Sequence, residues 1–101
     1  MNRELIVRPE AEADLARAFT WYEGRLRGLG YDFLNNTDAA VRGIMRNPEL
    51  YPIVHHGIRR ALVRRFPYAI FYLLEGTRIV VLAIFHASRD PAHWQRRAGV
   101  P

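Results

Sequence analysis

The chain has 101 residues, of which half are hydrophobic and none is cysteine, and its net charge is +5. This length fits one domain, residues 1–101, with a single core. The absence of cysteine excludes a disulfide framework, a thiolate metal site and a cysteine nucleophile. No segment approaches the roughly 20 apolar residues of a membrane-spanning helix or the apolar stretch of a signal peptide. We therefore expect a soluble, cytoplasmic protein that does not bind membranes.

A short strand and a helix come first in the chain. Residues 5–7 form a β-rich run, and Pro9 can begin a helix at its first position. Asp14 is one of three acids in the first helical turns, where the helix dipole favours negative charge. Gly28 and Gly30 are expected to end this helix and turn the chain. The residues that recur at helical spacing are Ala11, Leu15, Ala18, Phe19, Tyr22 and Leu26.

A second helix follows and forms a hairpin with the first. Residues 33–45 carry an apolar face, and the helix is expected to end just before Pro48. Two helices joined by a few residues lie nearly antiparallel, and since neither is apolar all round, the hairpin should cover a sheet. Residues 49–57 are expected to form a loop. The adjacent His55 and His56 in this loop lack a third spaced ligand, so we expect no metal site.

The second half of the chain predicts three strands, which gives an α+β fold with the order β-α-α-β-β-β. Residues 58–65 alternate arginine with hydrophobic residues, as in a strand with one solvated face. Residues 68–74 and 78–85 are β-branched and aromatic runs joined by a Glu-Gly-Thr turn, and both should be central strands. Asp90 and Pro91 then supply an N-cap and a first helical residue for a last short turn.

The whole excess of positive charge lies in the second half of the chain. Residues 1–49 carry 7 arginines and 8 acids, a net charge of −1, whereas residues 50–101 carry 8 arginines and 2 acids, a net charge of +6. Every basic side chain is arginine, whose planar guanidinium suits phosphate and carboxylate groups. The composition therefore indicates an acidic partner such as nucleic acid, the ribosome or an acidic protein segment.

Four arginines of the predicted strand over residues 58–65 are candidates for binding that partner. Strand alternation places Arg60 and Arg64 on one side and Arg59 and Arg65 on the other, so the four are not expected to serve one surface. The alternative is a solvated strand face whose arginines pair with acids of the first helix, such as Asp14. The sequence leaves both interpretations open.

His86 and Arg89 are the best candidates for chemistry, because they follow a central strand and histidine exchanges protons near neutral pH. In a nuclease, His86 or Tyr72 would act as base or acid, and Arg89 with Arg65 would hold the phosphate. In the alternative, His86 bonds within the fold and Arg89 pairs with Asp90 or a backbone carbonyl. The chain has no glycine-rich phosphate loop, and we expect no cofactor.

In their order and spacing, these motifs resemble the RelE/ParE superfamily of type II toxin–antitoxin toxins. The resemblance covers about residues 4–97. It implies a toxin with a helical hairpin on a twisted, mostly antiparallel sheet, held inactive in a hetero-oligomer by a cognate antitoxin. The motifs are Asp14-Leu15, Trp21-Tyr22, Asn47-Pro48, Arg59-Arg60, Phe66-Pro67-Tyr68, Ile70-Phe71-Tyr72 and His86-x-x-Arg89-Asp90-Pro91.

The superfamily divides by target. RelE-like members cut mRNA in the ribosome, whereas ParE-like members inhibit DNA gyrase and have no known nuclease site. RelE-like chains often carry an arginine where this chain has Ala69, and alanine supplies neither a proton nor a positive charge. The interpretation therefore leans to a ParE-like, non-enzymatic toxin. The alternatives are a ribosome-dependent mRNA interferase and a basic interaction domain without toxicity.

The resemblance also predicts where the antitoxin binds. We expect an acidic segment, partly disordered when free, to dock along the helical hairpin and a sheet edge, because edge strands offer free backbone groups. The arginines expected to contribute to antitoxin or target binding are Arg59, Arg60, Arg64, Arg65 and Arg89.

Overall fold

A computed structural model describes residues 3–98 of the chain. The predicted α+β class and the hairpin on a mostly antiparallel sheet are confirmed, with one further short strand. Within the described residues, no helix combines the length and hydrophobicity that a bilayer crossing requires. The elements are β1 (Glu4–Val7), α1 (Pro9–Arg25), α2 (Leu29–Arg46), β2 (Ile53–His55), β3 (Ile58–Leu62), β4 (Tyr68–Glu75), β5 (Arg78–His86) and α3 (Pro91–Arg96).

The five strands form one sheet in the order β1-β5-β4-β3-β2. β1 pairs in parallel with β5, with Val7 opposite Val81, and the other neighbours pair antiparallel. β4 and β5 are central, as predicted, because their residues are buried on both faces. The chain therefore has two edge strands among its described residues, β1 and β2.

The sheet has a hydrophobic cluster on each face. The α1–α2 hairpin covers one face, where Tyr22 and Phe33 pack against residues of β4 and β5. On the other face α3 places Trp94 flat on Phe71, with ring centroids 4.3 Å apart and planes inclined by 14°. Asp90 caps α3 as predicted, since its carboxylate accepts a 3.0 Å hydrogen bond from the Ala92 N–H. This cap and the stacked rings fix α3 against the sheet.

The predicted loop over residues 49–57 contains β2, which the sequence analysis missed. β2 turns into β3 through His56 and Gly57, whose φ angles are 42° and 81°. Positive φ at both central residues is the geometry of a type I′ hairpin turn, and Gly57 adopts it without strain. A three-residue strand directly after Pro52 carries too little pattern to be recognised.

β3 is shorter than predicted, since it ends at Leu62. Arg64 and Arg65 lie in the turn that leads to β4, and Arg65 adopts a φ of 73°. The alternation expected over residues 58–65 therefore applies to Arg59 and Arg60 but not to the second arginine pair.

The prediction that Gly28 and Gly30 together stop the first helix is wrong for Gly30. Gly28 makes the turn with a φ of 90°, while Gly30 lies buried in the first turn of α2. The Glu23 carboxylate accepts hydrogen bonds of 2.9 Å from both glycine N–H groups. Glu23 thereby satisfies donors at the start of α2 that have no partner within the helix.

Gly30→Ala is expected to destabilise the protein by about 1–3 kcal/mol. A Cβ atom at this position would lie 2.8 Å from two ring carbons of Phe19 and 2.9 Å from Oε1 of Glu23. The matched control is Gly24→Ala in α1, where no heavy atom outside the local helix backbone and the two chain neighbours lies within 4 Å of the added Cβ. That change should be neutral or stabilising by up to about 1 kcal/mol. Urea unfolding of both variants checks the prediction, and equal stabilities would contradict it.

Candidate functional site

A cleft of about 490 Å³ opens where α1 crosses the ends of β4 and β5. Tyr68 at the start of β4 lies opposite His86 at the end of β5. The Ala87 N–H donates a 2.7 Å hydrogen bond to the carbonyl of Pro67, which holds the turn before β4 beside the end of β5. The main polar and aromatic residues of the cleft are Asp14, Arg17, Trp21, Tyr22, Tyr68, His86 and Arg89.

Asp14 lies at the bottom of the cleft, with 2% of its side chain exposed. Its carboxylate accepts hydrogen bonds from the Ile84 N–H at 3.1 Å and from Arg17 at 2.7 Å. Arg97 donates to both carboxylate oxygens, at 2.5 and 3.2 Å. Asp14 therefore has a full set of donors, as a buried charge requires.

The Asp14–Arg97 ion pair lies along the part of the β5 edge that β1 does not cover. β1 ends opposite Val81, so within residues 3–98 no strand pairs with β5 on that side beyond this point. The Ile84 N–H bonds instead to Asp14, and the Leu82 carbonyl accepts a 3.2 Å hydrogen bond from Arg97. Side chains thus satisfy backbone groups that would otherwise be buried without partners.

The position of Asp14 in the sequence could have indicated a buried ion pair. Asp14 lies on the buried stripe of α1 with Ala11, Ala18 and Tyr22, and a carboxylate on such a stripe needs a partner. The sequence analysis related Asp14 only to the helix dipole and so did not predict that its carboxylate is buried with a partner. Its partner Arg97 is 83 residues away along the chain, and no local pattern connects the two.

Two phenols face each other in the wall of the cleft. The rings of Tyr22 and Tyr68 lie with centroids 5.9 Å apart. Burial raises the pKa of Tyr68, with Arg89 acting in the opposite direction and Asp14 adding to the rise. Burial and the neighbouring Tyr68 likewise raise the pKa of Tyr22. Both hydroxyls are therefore neutral donors at neutral pH.

His86 lines the same cleft with one ring nitrogen already engaged. Its Nδ1 accepts a 3.1 Å hydrogen bond from the Ser88 N–H and lies 2.8 Å from the Ser88 hydroxyl. A backbone N–H can only donate, so the neutral ring carries its proton on Nε2. His86 thus bonds within the fold through one nitrogen and keeps the other as a donor.

Arg89 is exposed at the rim of the cleft. Its guanidinium carbon lies 4.0 Å from the centroid of the Phe85 ring, a cation–π contact. The alternative pairing with Asp90 does not occur, since Asp90 caps α3. Within residues 3–98 Arg89 makes no ion pair.

The four arginines predicted for the strand divide into one structural residue and three exposed ones. Arg59 donates hydrogen bonds to the carbonyls of Tyr51 at 2.7 Å and Glu49 at 3.1 Å. It therefore fixes the chain before β2. The exposed arginines are Arg60, Arg64 and Arg65, and none forms an ion pair with any residue that the structure describes.

Three of the arginines that form no ion pair within residues 3–98 lie at one end of the sheet, namely Arg64, Arg65 and Arg89. The turn that carries Arg64 and Arg65 leads into β4, whose start lies beside the end of β5 and the nearby Arg89. Arg60 lies further along β3 and pairs with Phe71, whose side chain belongs to the cluster on the face away from the hairpin. We call Arg60, Arg64, Arg65 and Arg89 the basic surface.

Tyr72, which sequence analysis considered as a catalytic acid or base, lies in the core. Its side chain is fully buried, and its hydroxyl donates a 2.6 Å hydrogen bond to the Pro48 carbonyl. Burial raises its pKa to about 12, against the opposing effect of Arg59. Tyr72 has no access to a substrate, and we do not retain it as a site residue.

Tyr72→Phe is expected to destabilise the protein by about 1–2 kcal/mol at pH 7, because the buried Pro48 carbonyl loses its donor. The unfolded chain releases the phenol proton near pH 10 and the folded chain near pH 12. Stability should therefore fall as pH rises through this interval, and the variant should lose part of that fall. Urea unfolding at pH 7, 10 and 11 measures both effects. An unchanged alkaline slope in the variant would contradict the assignment.

His55 and His56 pack together, with ring centroids 4.2 Å apart, and His55 also lies edge-on to Trp94 at 6.0 Å. In the part of the chain that the structure describes, no three metal-ligating side chains are grouped so as to hold an ion. The pair therefore has a packing role next to α3.

A model of the family described as the ParE toxin of the type II toxin-antitoxin system, parDE, matches residues 5–91. The chain belongs to the ParE toxin family. A solved structure of the chromosomal ParDE TA system from P. aeruginosa has a similar fold, with a TM-score of 0.72 and 20% sequence identity. The match covers 83% of this chain and 95% of that one. No curated protein matches the chain.

The chain is thus a ParE-type toxin of a type II toxin–antitoxin system, as the sequence motifs indicated. The family match includes the basic surface and the polar and aromatic residues of the cleft. Arg97, which pairs with Asp14, lies beyond its end. Trp21 lies at the cleft with 53% of its surface exposed.

Proposed function

We propose that this ParE toxin inhibits DNA gyrase by binding it through the basic surface, and that a cognate antitoxin neutralises it. The observation that carries the proposal is the set of exposed guanidiniums without carboxylate partners within residues 3–98. Own-chain acids engage other arginines, namely those at positions 17, 42, 78 and 97. The basic surface therefore keeps its charge for a partner.

Unpaired guanidiniums favour an acidic macromolecule in two ways. Their summed potential steers the partner toward the basic surface and raises the association rate. Each planar fork then offers two parallel hydrogen bonds to a carboxylate or phosphate, which fixes the orientation of the complex. Arg64 and Arg65 are held in a turn between two paired strands, so less of their backbone freedom is lost on binding.

Antitoxin docking along the hairpin is supported by exposed hydrophobic residues there. Large apolar side chains of α2, the turn before it and the loop after it remain accessible to solvent, and an amphipathic partner segment would cover them. The edges β1 and β2 also offer backbone groups for strand addition. The exposed residues are Leu26, Tyr31, Met45 and Leu50.

The mRNA interferase alternative receives less support. Tyr72 is buried, and Ala69, which occupies the position of the RelE-like arginine, is buried as well. Of the four residues considered for cleavage, His86, Arg89 and Arg65 remain, which leaves one acid–base group where cleavage needs both an acid and a base. Mapping cleavage in a translating extract, with His86→Ala as control, would detect this activity directly.

DNA supercoiling by purified gyrase tests the proposed target. Increasing amounts of the toxin should progressively reduce the conversion of relaxed plasmid to supercoiled plasmid. Antitoxin added before the toxin should prevent this loss of supercoiling activity. Full supercoiling in a large molar excess of soluble, folded toxin would contradict the proposal.

A further inference from the structure

The cleft presents hydrogen-bond donors that the fold does not use. Its one carboxylate, Asp14, already accepts from a backbone N–H and two guanidiniums. Tyr22 and Tyr68 line the cleft, and among residues 3–98 Tyr72 is the tyrosine whose hydroxyl bonds to the protein, so neither cleft hydroxyl is engaged. Arg89 adds an unpaired positive charge at the rim. A ligand that fits must therefore accept hydrogen bonds and carry negative charge.

The size and walls of the cleft narrow the choice of ligand. A volume of about 490 Å³ lies within the range of ordinary ligand pockets. The rings of Trp21, Tyr22 and Tyr68 give it apolar sides. It can take a few side chains of a narrow segment, whereas a DNA duplex or the flat surface of a folded protein is too wide to enter.

We propose that the cleft receives an aspartate or glutamate side chain of the antitoxin's acidic segment, with an apolar neighbour of that residue against Trp21. This inference rests on the proposed function, since it requires an antitoxin. The carboxylate would accept hydrogen bonds from the two phenols and an ion pair from Arg89. The buried Asp14, neutralised by Arg97 and Arg17, contributes no uncompensated negative charge against it.

The position of the cleft favours the antitoxin over the target as the source of this side chain. One wall of the cleft is α1, so the cleft continues directly from the hairpin that the antitoxin segment is expected to cover. A segment that is disordered when free can insert a side chain into a recess while it wraps around the hairpin. A single acidic segment can therefore occupy both surfaces.

Titration calorimetry with the purified antitoxin encoded beside the toxin tests the inference. Tyr22→Phe combined with Tyr68→Phe removes both hydroxyls and keeps both rings, and Arg89→Gln removes the charge. Each variant is expected to weaken antitoxin binding at least tenfold. The matched controls are Tyr51→Phe, at a tyrosine that does not line the cleft, and Arg78→Gln, at an exposed arginine away from it. Both should bind within about twofold of the wild-type protein.

Tryptophan emission supplies a local readout, because Trp21 is half exposed in the cleft wall and Trp94 is buried on the other face of the sheet. Antitoxin binding should shift the emission to shorter wavelength in the wild-type protein but not in Trp21→Phe. Wild-type affinity in all cleft variants would overturn the inference. So would lost gyrase inhibition with unchanged antitoxin affinity, which assigns the cleft to the target and leaves the proposed function intact. No antitoxin binding by the wild-type toxin would reject both.

Discussion

Asp14→Asn is expected to destabilise the protein by about 3 kcal/mol, because it leaves a buried guanidinium without its counter-charge. Only 20% of the Arg97 side chain is exposed, and this arginine also holds the Leu82 carbonyl at the open edge of β5. The asparagine keeps the shape of the side chain, so no cavity contributes to the loss. Urea unfolding should show a lower midpoint with an unchanged slope.

Asp38→Asn is the matched control for this prediction. Asp38 also lies on a helix and pairs with an arginine, Arg42, but 64% and 59% of these two side chains are exposed. Exposed pairs of this kind contribute less than about 1 kcal/mol, so the control should unfold almost as the wild-type protein does. Equal losses in the two variants would show that the buried pair has no special role in closing the sheet edge.

Charge reversal on the basic surface is expected to have the largest effect on function. Arg60→Glu, Arg64→Glu and Arg65→Glu together should raise the toxin concentration that half-inhibits gyrase supercoiling at least tenfold. The change replaces three attractive charges by three repulsive ones, and like charges across an interface cost several kcal/mol. The loss should shrink as salt concentration rises, because ions screen exposed charges.

A control of equal net charge separates the position of the arginines from their number. Arg27→Glu, Arg46→Glu and Arg78→Glu change three exposed arginines outside the basic surface. This variant should inhibit gyrase within about threefold of the wild-type protein, because long-range potential alone has a modest effect at physiological salt. Equal losses in the two triple variants would mean that net charge, and not the basic surface, determines inhibition.

Much of the fold follows from local patterns in the sequence. The starts of α1 and α3 each depend on one residue with a local effect. Pro9 begins α1 with its fixed φ angle, and the carboxylate of Asp90 caps α3. β4 and β5 are apolar on both faces and are therefore central. β2 was missed because three residues after a proline carry no recognisable period, and it forms through its pairing with β3.

The candidate site was less predictable, because its geometry depends on contacts between distant parts of the chain. Arg59 and Arg60 are neighbours in sequence, yet Arg59 bonds to the chain before β2 while Arg60 is exposed and forms no ion pair with any described residue. Tyr72 was considered as an acid or base because its phenol can exchange a proton, but strand register directs it into the core. The cleft is formed by helix and strand ends that no local pattern brings together.

Growth of cells that express the chain without its antitoxin tests the central claim most directly. The wild-type protein and the control with changes at Arg27, Arg46 and Arg78 should each reduce colony counts by orders of magnitude. The variant with changes at Arg60, Arg64 and Arg65 should permit near-normal growth at the same soluble expression level. If that variant kills as effectively as the wild-type protein, the basic surface is not the surface through which this toxin acts.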